Sequence, residues 1–371
     1  MNRNERSDEL HAKVQRFARG DQALNFADLA REITEFQREF SPGFARLLVR
    51  LGRTPNAIEE IPGVPCDAFR VARVALHAES EDLRCFATSG TTGGARGTHA
   101  LRRIDTYREV ALSFGRRALL ADDRSRRVVA LAPRLDDPPT SSLGHMMALF
   151  MSDFEGSVES EIHSPERWLI GEHGVDLEAL ERAARDARDA DQTLIVLATS
   201  FALVALLDAL AGRAIAAPAR TVIMQTGGFK GKSREIAASE LRRAVAESFG
   251  IDPRCVVAEY GMTELTSQLY EATLPGSALE AEHHGMPGVY FEPPWLRVVP
   301  VDPVGLEPVA PGETGIARIV DLANIDSALA IQTQDRVRRV NGGIELLGRA
   351  PGATPRGCSL TIEEFLQARS P

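Results

Sequence analysis

The sequence predicts an α/β protein with layered, mostly parallel sheets and a small β-rich lobe. Two observations carry this. Between residues 105 and 258, short runs rich in Val, Ile and Leu alternate with helical runs, the pattern of strands buried on both faces by crossover helices. From about 285 to 344 the helical runs give way to Pro, Gly and short β-type runs, which read as a separate lobe. The chain has 371 residues and is 44% hydrophobic, enough for a large core and for two or three lobes.

Taken in order, the first 80 residues offer no motif. Strands are expected at 127–132, 193–199, 221–225 and 255–258, because each run is short, β-branched and closed by turn or helix signals. Helices are expected at 105–119, 176–190, 200–210 and 233–248. The lobe supplies strands near 295–299 and 316–320. Residues 1–345 are expected to form one core that includes the lobe from about 285. Residues 346–371 are expected to form a short tail, with a Gly/Pro linker and an amphipathic helix from about Thr361.

Several function classes are disfavoured. The net charge of −9 argues against a general nucleic-acid binder. No secretory apolar core follows the polar N-terminus, and no apolar run reaches membrane-spanning length, so a cytoplasmic protein is expected. The four cysteines (Cys66, Cys85, Cys255, Cys358) are scattered, and no Cys/His cluster has zinc spacing. Cys85 and Cys255 lie in apolar strand-like runs and are expected to be buried, with Cys66 more open. Lysine occurs only at positions 13, 230 and 232, which leaves few candidates for lysine-dependent chemistry.

The strongest motif is TSGTTGGARG at 88–97. Glycines let a backbone approach phosphate oxygens, hydroxyls add donors, and Arg96 adds a cation. No GK[ST] follows, so this is not a Walker A loop. A second motif, EYGMTE at 259–264, follows a strand run. There Tyr260 offers an aromatic face, Thr263 a hydroxyl donor, and Glu264 a carboxylate suited to Mg²⁺. A generic turn explains either motif alone; their order makes a nucleotide site the better reading.

TSGTTG resembles the phosphate loop of the adenylate-forming superfamily of acyl-CoA synthetases, adenylation domains and luciferases. YGMTE resembles that superfamily's adenylate motif. The resemblance implies nucleotide contacts from Thr88, Ser89, Gly90, Thr91, Thr92 and Gly93, and from Glu259, Tyr260, Gly261, Met262 and Thr263. It also implies that Gly227 and Gly228 form the turn beside adenine, that Asp335 binds the ribose, and that Arg349 marks the lobe boundary. Asp335 and Arg349 are read here as charged loop residues. Within the superfamily the stretches SSLGHMMALF, ATSFALVALLD, TGGFKGKSRE and RGCSL are most similar to LuxE-type acyl-protein synthetases, akin to phenylacetate–CoA ligases. His145 and Phe150, in the first stretch, are candidate acyl-pocket residues, although such a Met-rich helix face is more often core.

The chain departs from the superfamily pattern in lacking a C-terminal domain of about a hundred residues with its catalytic lysine. Lys230, Lys232, Arg96 or an arginine of the tail are the candidates to replace it. The implied chemistry is ATP- and Mg²⁺-dependent activation of a carboxylic acid. Cys358, where the LuxE type carries its acyl-accepting cysteine, then receives the acyl group for a partner such as a reductase. Two alternatives stand. One is a ligase that passes the acyl group to CoA or to a carrier protein's phosphopantetheine. The other is an ATP-binding scaffold without turnover.

Overall fold

A computed structural model describes residues 2–52, 55, 57–88, 97–136, 139–227 and 237–350. They divide into two compact units. The first comprises the described residues of 1–113, 262–268 and 291–371, and the second 114–261 and 269–290.

The second unit carries the parallel sheet. Its strands lie in the order Leu269–Glu271, Val256–Tyr260, Val222–Thr226, Thr193–Thr199, Arg126–Pro133, Trp168–Gly171, Gly174–Val175. The five from Val256–Tyr260 to Trp168–Gly171 pair parallel, and Leu269–Glu271 and Gly174–Val175 pair antiparallel at either end of this run. The inner strands are buried almost throughout, so they read as continuous apolar runs rather than alternating ones. Helix Leu177–Asp189 presents Ala179, Leu180, Ala183, Ala184 and Ala187 to the core. The four alanines among them, at helical spacing, bring helix and sheet close. Asp176 caps its start and Thr199 that of Ser200–Leu210, each by accepting from a backbone N–H of the first turn. Helix Ala238–Phe249 ends at Gly250, whose φ of 63° is left-handed. Predicted and observed strands and helices here agree to within a few residues, except that the expected helix start at 233–236 lies outside the described residues.

The first unit holds an antiparallel sheet in the order Leu296–Val301, Thr314–Asp321, Ala330–Val340, Gly343–Arg349. Val64–Pro65 adds parallel to Ala330–Val340. A separate hairpin pairs Arg84–Ala87 with Thr98–Leu101. The lobe's strands therefore run on to Arg349, beyond the expected lobe end. The 80 residues without a motif supply helices Arg3–Ala18, Phe26–Phe40 and Pro42–Leu51. Their polar side chains do specific work. The buried Gln37 donates to the carbonyls of Asn324 and Ile325 (2.9 and 3.0 Å) and accepts from Leu329 N (3.1 Å). Ser7, His11 and Arg102 converge on Asp326 at 2.7, 3.0 and 3.1 Å. Burial alone raises a carboxyl, but the bonds from His11 and Ser7 and the Arg102 charge hold Asp326 well below the usual range. The segment 321–329 is thereby clamped on the side that faces the helices.

Candidate functional site

Ser89, Gly90, Thr91, Thr92, Gly93 and Arg96 lie outside the described residues, and so do Gly228, Lys230, Lys232 and Cys358. The stem of the candidate phosphate loop is described. The hairpin brings Ala87 opposite Thr98. Beyond it, Thr88 N donates to Gly97 O (2.8 Å), and Gly97 N donates to the Thr88 hydroxyl (2.9 Å). Gly97 is required by contact: a Cβ there would stand 2.9 Å from the backbone carbon and oxygen of Phe69. Thr88 is buried, so its hydroxyl closes the base of the loop.

Residues 262–268 of the first unit form an irregular turn whose main-chain groups need partners from elsewhere. Side chains provide them. The buried His99 holds the Thr263 carbonyl at 2.8 Å. Asn324 donates to the Glu264 carbonyl at 3.0 Å and accepts from the Thr266 hydroxyl at 2.7 Å. Asp321 accepts from Thr266 N, Ser267 N and the Ser267 hydroxyl at 3.0, 2.9 and 2.7 Å. Trp295 Nε1 donates to that same hydroxyl at 3.1 Å. Met262 closes the turn by accepting from Leu265 N at 3.1 Å. Thr263 and Glu264 thus project from a backbone anchored at nearly every residue. Glu264 is 8% exposed.

Cys66, Asp335 and Arg349 belong to the same unit. Asp335 and Arg349 are not loop residues: they are cross-strand partners on Ala330–Val340 and Gly343–Arg349, with an Oδ1 to Nε distance of 3.5 Å. The missed signal was VNGG at 340–343. Asn341 and Gly342 take φ of 49° and 77°, the left-handed pair of a two-residue hairpin turn. Cys66 is less open than expected. Burial pushes its thiol up to about 12, the charges of Glu264, Asp67 and Asp335 add to the rise, and Arg349 opposes it. Charges from both ends of the candidate site therefore act on one half-buried cysteine. Cys85, by contrast, is exposed. In a two-stranded hairpin successive side chains alternate, so Phe86 is buried and Cys85 turns outward. Cys255 is half-buried.

In the second unit Glu259 and Tyr260 end the strand Val256–Tyr260, followed by Gly261. Glu259 faces Thr226 across the parallel pair and accepts from its hydroxyl. Burial pushes the Glu259 carboxyl up to about 7 against that one bond. Gly227 follows with φ 71°, a conformation that favours glycine, and its carbonyl accepts from the Ser200 hydroxyl at 2.5 Å. Gln225 donates to the same hydroxyl at 3.1 Å. The ring of Tyr260 meets Tyr290 edge-on at 6.4 Å. These groups sit at the carboxyl ends of parallel strands, where open α/β sheets place ligands. Helix Ser142–Phe150 carries His145, half-buried, and Phe150, fully buried and stacked on Phe154 at 4.6 Å. Phe150 is thus a core side chain here.

Sequence reasoning passed over His99, Asp321 and Asn324. None belongs to a motif, and each acts through the backbone of a distant turn. The only hint was a histidine placed two residues after the glycine-rich loop.

No family model matches the chain. It is 21% identical over 334 residues to the long-chain-fatty-acid–luciferin-component ligase of Vibrio harveyi, covering 86% of this chain and 82% of that protein. The fold is similar to that of 2-hydroxyisobutyryl-CoA ligase. In the open conformation with 2-HIB-AMP and CoA the TM-score is 0.59 at 13% identity, over 89% of this chain and 76% of the ligase. In the postadenylation state with 2-HIB-AMP it is 0.60 at 14% identity, over 90% and 69%. The chain has the fold of the adenylate-forming ligases, and the resemblance to the LuxE type read from its motifs has independent support. Among the described residues no helix is long and apolar enough to cross a membrane.

Proposed function

We propose that this protein is an acid–thiol ligase that uses ATP to activate a carboxylic acid as an acyl-adenylate. One observation carries the reading. The closed stem of the phosphate loop and the anchored turn bearing Thr263 and Glu264 belong to one compact unit and are bonded to each other through His99. The similarity to ligases that form acyl-adenylates supports it.

In the first step a carboxylate oxygen attacks the α-phosphorus of ATP, the bond to the bridging oxygen breaks, and pyrophosphate leaves. The protein's part is positioning and charge. The loop 88–97 holds phosphates, Thr263 donates a hydroxyl to a phosphoryl oxygen, and Asp335 accepts from the ribose hydroxyls. Magnesium binds through one or two carboxylates and substrate phosphates, and the Glu264 carboxylate, buried and next in sequence to Thr263, fits that donor set. When bound, the ion supplies neutralisation of phosphate charge. In the second step a thiolate attacks the acyl carbon, the carbon–oxygen bond to phosphate breaks, and AMP leaves. The thiol we propose is that of Cys358, which then hands the acyl group to a protein partner.

The test is pyrophosphate exchange into ATP across a panel of aliphatic, aromatic and amino acids, followed by intact-mass measurement. Exchange with one acid class is expected, together with one acyl mass that hydroxylamine removes. Cys358→Ser should keep the exchange and lose the adduct. A serine variant that still carries the adduct rules out Cys358. Acyl transfer to added CoA or phosphopantetheine without an adduct establishes the ligase alternative. ATP binding with no exchange for any acid establishes the scaffold alternative.

A further inference from the structure

His99 stands on the strand Thr98–Leu101, two residues beyond the glycine that closes the candidate phosphate loop. It is 1% exposed and meets Phe69 edge-on at 5.6 Å. Phe69 is also the residue whose backbone excludes any side chain at Gly97, so loop base, Phe69 and His99 form one packed group. Nδ1 lies 2.8 Å from the Thr263 carbonyl. A carbonyl only accepts, so Nδ1 carries the proton. Burial pushes the ring down to about 4, so at neutral pH it is uncharged and Nε2 is a bare acceptor.

Nε2 is buried and has no hydrogen-bond partner among the described residues. An unsatisfied buried acceptor is a cost that an apolar side chain of similar volume does not carry. A polar ring is present at this position despite that cost, and its Nδ1 bonds the turn that carries Thr263 and Glu264. The next carbonyl of the turn, that of Glu264, is held by Asn324, so the two bonds fix successive peptide planes.

We propose that His99 is a positioning residue for adenylation: it locks the Thr263 backbone to the base of the phosphate loop, so that loop, Thr263 hydroxyl and Glu264 carboxylate keep one geometry while the phosphates separate. The inference rests on the adenylation reading and assigns a role within that site.

Three variants test it. Asn places its amide nitrogen close to where Nδ1 stands, Gln places its own close to Nε2, and Leu offers no donor. Loss of one orienting hydrogen bond corresponds to a fall of about 10- to 100-fold in rate. His99→Leu and His99→Gln should lose about that much in kcat for pyrophosphate exchange, with KM for the acid unchanged. His99→Asn should recover most of the rate. Thermal melts are run on all three. Asn and Gln are matched in polarity, so a structural role alone moves both melts and both rates together. Should the Leu variant not fold, the comparison of Asn with Gln decides. Equal losses in Asn and Gln, or a loss confined to KM, overturn the inference and leave the adenylation reading standing. A wild-type protein that shows no exchange overturns that reading itself.

Discussion

Asp321 is the residue on which the turn 262–268 depends most heavily. It is fully buried, and its two oxygens take four hydrogen bonds. Oδ2 accepts from Thr266 N and Ser267 N, and Oδ1 from the Ser267 hydroxyl and Ala323 N at 3.0 Å. Asp321→Asn keeps the shape and replaces one acceptor by a donor. An NH₂ in place of Oδ2 strands both Thr266 N and Ser267 N; in place of Oδ1 it strands Ala323 N and turns the Ser267 hydroxyl from donor to acceptor, so at least one backbone N–H loses its partner. Stranding a buried N–H costs ~1–3 kcal/mol. Burial raises the Asp321 carboxyl against the bonds to Ser267, Ala323 and Thr266, so removing the charge returns part of that loss. The expected net destabilisation is ~1–3 kcal/mol. Trp295, bonded to the same Ser267 hydroxyl and 2% exposed, reports on this unit. The chain has two tryptophans, and a Trp168→Phe background leaves Trp295 as the sole indole. Urea unfolding followed by its fluorescence should show the lower midpoint, and pyrophosphate exchange should fall as Thr263 and Glu264 lose their anchor. Asp302→Asn is the control. Asp302 also accepts two backbone N–H groups, at 2.9 and 2.6 Å, but in an exposed turn, where water replaces the lost bonds. Unfolding of Asp321→Asn within about 0.5 kcal/mol of the parent, with unchanged Trp295 emission, would refute the reasoning.

Glu264→Gln removes the carboxylate assigned to magnesium while keeping its shape, so exchange should fall by orders of magnitude and the melting temperature should hold; turnover near wild type would free Glu264 of that role. Glu259 has a folded pKa of about 7, raised by burial from 4.5. Its contribution to stability is therefore complete below about pH 4.5 and lost as the pH rises through 7, on the order of 3 kcal/mol by pH 8. Glu259→Gln should flatten that part of the stability profile, and an unchanged slope would assign it to another group. Cys66, with its thiol pushed up to about 12, should resist iodoacetamide at pH 8 while the exposed Cys85 reacts. Peptide mapping that finds Cys66 labelled first would contradict the burial argument.

The alternation of apolar runs with helical ones identified the parallel sheet and its helices because such periods are local properties of the chain. Strand 193–199 and helix 200–210 were legible to the residue. The loop motif and the YGMTE segment stand out in the sequence for a similar reason: glycine, hydroxyl and charge within a few residues form a chemical unit. The hairpin at 340–343 was equally local and went unread, which misassigned Asp335 and Arg349. Cys85 was misjudged because composition does not say which face of a short strand is covered, and Cys66 because the strand its backbone bonds, Ala330–Val340, is distant in sequence.

What anchors the site could not be read this way. His99 reaches Thr263 across 164 residues, Asn324 reaches Glu264 across 60, and Asp321 reaches Ser267 across 54. An irregular turn has no repeating pattern, so its backbone groups are satisfied by whichever side chains the tertiary fold delivers. The amino-acid sequence alone marked out the residues that we propose hold a nucleotide. Only the folded chain decided which backbone carries them and what holds it still, because a hydrogen bond between distant segments depends on where both segments end up, and no local period encodes that.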